Sequence, residues 1–290
     1  MPNNFDPNQI AIVIITLYPT WYRGKLRSIK HTDKIRGDLA LELITKTIGK
    51  GCHIVVVDGK SSRSFRKTLS QFPEANVKFR RSIKRSPAKR QAFKIASKIA
   101  DVKTIIATEG EKVSLITDCL EQITKPIFSG EADIVIPKRD EKLFEETYPQ
   151  YMYESENEGN HLYNEYLRAN GIIPKNVLDF DFFFGPRVFK NDPKILKLFL
   201  KKFNLKIAKS NLPRQFLDPE ELSNASFFPI ILALKKKLKV VSVRVAFSYP
   251  KLQKENEEIG SKDYFVEKRK NQRLGLLLEL IYFLLRTSSR

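Results

Sequence analysis

The sequence predicts a single α/β domain, a mostly parallel sheet flanked by helices with an elaborated C-terminal part. Three observations carry this. Short continuous apolar, β-branched runs recur through the first half, as strands buried on both faces require. Segments of helical periodicity separate them. The links are short, which favours right-handed βαβ units.

Residues 10–16 (IAIVIIT) read as the first strand and 38–47 (DLALELITKT) as a helix. Residues 53–57 (HIVVV) form the second strand, ending at Asp58-Gly59, and a helix over 61–71 follows. Residues 77–80 are a weaker strand. The stretch 87–100 (PAKRQAFKIASKIA) reads as a helix with Pro87 at its first position. A strand at 103–108 (KTIIAT) leads into one helix over 113–128, with Pro126 expected to end it, and then a strand at 133–137 (DIVIP). Residues 140–165 are acidic and aromatic and read as a loop plus a helix. Residues 177–184 (VLDFDFFF) alternate as a strand would, with Asp179 and Asp181 on one face. Helices at 193–203 and 220–237, a strand at 239–247 and a basic amphipathic helix at 263–285 complete the chain.

Composition bounds the function. The 290 residues include 52 Lys and Arg against 33 Asp and Glu, a net charge of +19, with 42% hydrophobic residues. That apolar supply excludes wholesale disorder. The charge calls for an anionic partner: nucleic acid, an anionic surface or a phosphorylated ligand. It is segregated, for residues 78–98 hold nine basic side chains and no acid, whereas 140–165 hold eight acids and one Lys. Aromatic residues are not interleaved with the basic run, which argues against a specific nucleic-acid partner. Cys52 and Cys119 form no zinc or CxxC pattern and read as free thiols. The start of the chain carries no signal-peptide pattern, and the apolar run 274–285 is broken by Glu279 and falls short of a membrane span. A cytoplasmic protein is expected. Lys268, Arg269, Lys270 and Arg273 ahead of that run would suit peripheral membrane contact; packing on the core or a homodimer contact explains it equally.

Ligands of parallel sheets bind beyond the carboxyl ends of the strands, so polar residues there are the candidates. No P-loop, dinucleotide, kinase or serine-hydrolase motif is present. Instead Thr16-Leu17-Tyr18-Pro19, Asp58-Gly59-Lys60-Ser61-Ser62, the basic stretch from Arg80-Arg81 to Lys89-Arg90, and Thr108-Glu109-Gly110-Glu111 follow successive strands.

In order and spacing these clusters resemble the GT-A nucleotide-sugar glycosyltransferases of family-2-like type, over most of residues 10–247. IAIVIITLYP is similar to their opening strand and base-contacting turn, HIVVVDGKSS to the strand whose terminal acid holds the nucleoside, and SPAKRQAFKIA to the helix near ribose and diphosphate. TIIATEGEKVSLITDCLEQI stands where the family has its DxD motif, and DPEELSNASFFPIILALKKKLKVVSVRV resembles the segment with the catalytic base. The resemblance implies a Rossmann-like catalytic domain over 1–247 and a basic helical extension over 248–290. It implies a nucleotide-diphosphate sugar donor bound by Thr16, Tyr18, Asp58, Lys89 and Arg90. Glu109 and Glu111 would hold Mg²⁺ or Mn²⁺, and Asp218, Glu220 or Glu221 would act as base toward an unidentified hydroxyl acceptor, with Asp179 and Asp181 lining its pocket. The motif reads Glu-Gly-Glu rather than DxD, so the acids equally suit a helix start. A degenerate member that binds a nucleotide or anionic partner without turnover is the second reading.

Overall fold

The computed structural model describes residues 5–80, 84–205, 217–260 and 262–288. Arg81 of the basic run lies outside them. The chain runs β1 (Ile10–Thr16), α1 (Thr32–Gly49), β2 (His53–Asp58), α2 (Arg63–Leu69), β3 (Ala75–Phe79), α3 (Arg85–Ala96), β4 (Thr104–Ala107), α4 (Val113–Asp118) and α5 (Leu120–Phe128). It continues with β5 (Ile134–Arg139), α6 (Glu141–Thr147), α7 (Gln150–Ala169), β6 (Arg187–Lys190), α8 (Pro193–Leu200), α9 (Ser223–Ser226), α10 (Phe228–Lys235), β7 (Val240–Val245), α11 (Lys251–Glu255) and α12 (Lys262–Ser288).

The sheet order is β3-β2-β1-β4-β6-β5-β7, with every pairing parallel except those of β6. The expected mostly parallel sheet flanked by helices is the observed architecture. Alternate strand residues feed two cores, as the two-residue strand period requires. Val13, Val55, Ile105 and Ile136 face α3, α7, α8, α10 and α12. Ile12, Val56, Ile106 and Val135 face α1, α2, α4 and α5. The 33 and 30 buried residues of the two faces explain why the strand runs carry no polar alternation.

Several local expectations change. Pro126 lies inside α5, which continues to Phe128. The helix breaks instead at Cys119, whose φ of −117° and ψ of 2° separate α4 from α5. The acidic 140–165 stretch is two helices, with Asp140 capping the first through Leu143 N. Residues 177–184 are not a strand. Asp181 accepts from the Phe184 N–H at 3.2 Å and closes a 3₁₀ turn over Phe182–Phe184. The strand is β6, a few residues later, inserted antiparallel between β4 and β5.

The C-terminal helix packs on the domain. Leu276, Leu280, Phe283 and Leu284 of α12 are buried in the core, with Phe283 stacked on Phe228 at 4.2 Å. Among the described residues no helix is long and apolar enough to cross a membrane. Cys52 and Cys119 are free and buried.

Candidate functional site

β1 lies between β2 and β4, so the chain winds one way from β1 and the other way from β4, and a crevice opens between their carboxyl ends. Two adjoining lobes share Arg36, Arg85, Lys89, Glu109, Glu111 and Lys268 and make one cleft. The larger lobe, about 530 Å³, is within the range of small-molecule sites. It is walled by Thr16, Leu17, Tyr18 and Pro19 after β1 and by Thr108 after β4.

The turn after β1 is held from beneath. Asp58, fully buried at the end of β2, accepts from Thr16 Oγ1 at 2.8 Å, Ser61 Oγ at 2.5 Å and Arg66 Nε at 2.9 Å. Ser61 Oγ in turn accepts from the Tyr18 N–H at 2.8 Å. The register that pairs Thr16 with Asp58 makes this network possible. Asp58 therefore braces the cleft floor and does not line the cleft. Tyr18 lines it, with its ring edge-on to Phe65 at 5.1 Å. Burial and the charge of Glu111 push its phenol well above the usual range, so it stays protonated.

Glycine sets the Glu-Gly-Glu geometry. A Cβ on Gly110 would lie 2.7 Å from Ala40 Cβ and 3.1 Å from Tyr18 Oη, so only glycine lets this loop rest on α1. Gly185, at φ +101°, similarly admits the Glu109 carboxylate, whose Oε1 lies 2.7 Å from where a Cβ would stand. Glu109 Oε2 is buried with no hydrogen-bond partner. Glu111 stands 3.6 Å from Arg36, which also donates to Glu257 at 2.6 Å. Burial disfavours the Arg36 charge, but Glu111 and Glu257 overcome this and raise its pKa.

Among the described residues no group of three or more His, Cys, Asp or Glu side chains is arranged to hold a metal ion, and one of the two carboxylates is committed to Arg36.

Cations dominate the lining, with seven Lys and Arg side chains against four Asp and Glu. Arg85 and Lys89 project from the first turns of α3, where Lys89 is buried and donates to Ser226 Oγ at 2.9 Å. Burial lowers its pKa, and the charge of Glu109 opposes that shift. The far wall is α12, which contributes Tyr264, Phe265, Lys268, Arg269 and Gln272. Burial and the neighbouring Arg36, Arg85 and Arg269 depress Lys268 to about 8.

Of the sequence candidates, Thr16, Tyr18, Lys89, Glu109 and Glu111 therefore come together. Arg90 turns away and pairs with Glu220 at 2.6 Å, and neither lines the cleft. Asp218 and Glu221, paired with Lys84 at 2.6 Å and Arg85 at 3.2 Å, line an adjoining groove against α12. The expected helix start at Asp218 is instead a turn before α9. Asp179 pairs with Arg168 at 2.5 Å, and buried Asp181 is clamped by Arg139 at 2.7 Å, so neither lines the cleft. The α12 residues were missed as site members because their basic-then-apolar order also describes a surface helix. The signal was the four-residue spacing of Tyr264, Lys268 and Gln272 on one side, with Leu276, Leu280 and Phe283 buried in the core farther along.

No family model and no curated protein matches the chain. Among the solved structures to which the chain is similar are the following three. One, described as a nucleotide-diphospho-sugar transferase from Desulfovibrio desulfuricans G20, has 6% identity and a TM-score of 0.46, covering 97% of this chain and 98% of that one. CMP:2-keto-3-deoxy-manno-octonic acid synthetase complexed with CTP has 9% identity and a TM-score of 0.45, covering 90% and 99%. S. aureus TarS 1–349 has 12% identity and a TM-score of 0.39, covering 83% and 59%. Likeness at this level assigns no reaction and no residue role.

Proposed function

We propose that the chain is a transferase using a nucleotide-diphosphate sugar as donor and a hydroxyl compound as acceptor. The observation that carries this is the cationic crevice at the point where the strand order reverses, with the buried or half-buried Lys89, Lys112 and Lys268 facing it. A nucleoside suits the lobe lined by Leu17, Tyr18, Pro19 and Tyr264, and a diphosphate suits the neighbouring Arg85 and Lys89. In the transfer, the acceptor oxygen bonds to the anomeric carbon as the bond from that carbon to the phosphate oxygen breaks. The nucleoside diphosphate leaves with that electron pair, and the hydroxyl proton passes to a carboxylate. Glu109 lies on the cleft wall with a buried oxygen that has no hydrogen-bond partner, whereas Asp218, Glu220 and Glu221 are paired with Lys84, Arg90 and Arg85, which favours Glu109 over them as proton acceptor.

Thermal shift with UDP-, GDP-, CDP- and ADP-linked sugars tests the reading. Stabilisation by one of them, followed by nucleotide release in the presence of mixed acceptors, is the expected result. Absence of stabilisation by every nucleotide would overturn it. Binding without release, in wild type and Glu109→Gln alike, would favour the non-catalytic binding protein.

A further inference from the structure

We propose that the diphosphate is held directly by Lys268 of α12 together with Arg85 and Lys89 of α3, in the place a divalent metal would take. This rests on the nucleotide reading above and adds α12 to the site.

The argument starts from charge without a partner. Lys89 and Lys268 both face the cleft, and neither forms an ion pair with an acid among the described residues. Lys89 has only the Ser226 hydroxyl, and Lys268 Nζ lies 5.6 Å from the Tyr264 ring centre and 5.7 Å from that of Phe265. Glu109 and Glu257 act on these charges only from beyond ion-pair distance, and a buried or half-buried cation without a direct ionic partner is costly unless a ligand supplies one. Burial first, and then the charges of Arg36, Arg85 and Arg269 in the same space, lower the Lys268 pKa, and an anion bound beside them would oppose both effects. A divalent ion placed among these groups would add repulsion, whereas a diphosphate removes it.

The helix face supports the same reading. Tyr264, Lys268 and Gln272 recur every four residues along α12 and border the cleft in that order, with Tyr264 62% exposed. An aromatic ring at the nucleoside lobe, then an ammonium, then an amide toward the smaller lobe matches the base, diphosphate and sugar order of a nucleotide sugar. The core contacts of Leu276, Leu280 and Phe283 farther along the helix hold that face in register.

The test is calorimetric titration of the full chain with UDP, GDP, CDP, ADP and inorganic pyrophosphate, in EDTA and again in Mg²⁺ or Mn²⁺. It is repeated on Lys268→Met, which keeps the apolar stem, on Lys268→Arg, and on Lys270→Met, an exposed change on the same helix that borders no cleft. We expect one nucleotide to bind equally with and without metal. Lys268→Met should weaken it about tenfold or more, the loss of one charge-assisted hydrogen bond, while Lys268→Arg and Lys270→Met stay near wild type. Binding that needs the metal, or that ignores Lys268→Met in a variant with a wild-type melting curve, overturns the proposal. Pyrophosphate binding that depends on Lys268, with no nucleotide bound, keeps the clamp and overturns the nucleotide reading. No binding of any probe overturns both.

Discussion

Glu279 stands on α12 only 4% exposed, where Ser223 Oγ donates to its carboxylate. Burial raises its pKa from the ordinary 4.5 to about 7, with the charges of Asp218 and Glu221 adding to the rise and the Ser223 hydrogen bond opposing it. Replacing it by Gln keeps the shape and an acceptor for Ser223 and removes the charge. The sign follows from linkage. An acid whose folded pKa is raised favours the native state while protonated, so that contribution is intact below about 4.5 and lost as pH climbs to about 7. A shift of this size is worth about 3 kcal/mol when fully developed, at roughly 1.4 kcal/mol per pH unit. Urea unfolding of wild type and Glu279→Gln at pH 5 and pH 8 should therefore show the variant gaining about 2–3 kcal/mol on wild type between the two. Stability curves that run parallel across this window would refute the burial of an ionisable Glu279 against α9.

Three further outcomes are expected. Arg139→Met strands Glu156 and Asp181, which Arg139 meets at 2.5 and 2.7 Å, and should cost about 3–5 kcal/mol in denaturant unfolding. Gly110→Ala drives a methyl against Ala40 and Tyr18, so titration should show weaker nucleotide binding together with a loss of about 1–3 kcal/mol. Phe283→Ala removes a ring stacked on Phe228 and edge-on to Phe203 at 5.2 Å, and calorimetric melting should register about 3–5 kcal/mol of destabilisation.

The strands legible in the sequence are those buried on both faces. Ile10–Thr16, His53–Asp58 and Ile134–Arg139 announce themselves because nothing polar need interrupt them. Arg187–Lys190 does not, for its four residues become a strand only by filling the gap between β4 and β5. The alternation at 177–184 misleads because Phe180, Phe182 and Phe184 are buried through a turn, and Asp181 faces Arg139 rather than solvent. In the site, Thr16, Tyr18, Glu109 and Glu111 are readable since they directly follow strands. The inward turn of Asp58 depends on Ser61 and Arg66 reaching back to it, and the cleft wall supplied by Lys268 depends on a contact across most of the chain. Neither contact is fixed by local sequence, although the four-residue spacing of Tyr264, Lys268 and Gln272 marks the face of α12 that takes part.

That long-range wall ties the crevice to the docking of one helix. Arg36 and its partner Glu257 are 221 residues apart, and α12 lies farther still from the β1 turn it faces. The cost of closing so large a loop grows only with the logarithm of its length, and the core contacts of α12 offset it. The crevice exists only while α12 is docked across the sheet. Mild denaturant that peels α12 away would abolish ligand capture while the parallel sheet still stands, and a bound ligand would in turn fasten the helix down.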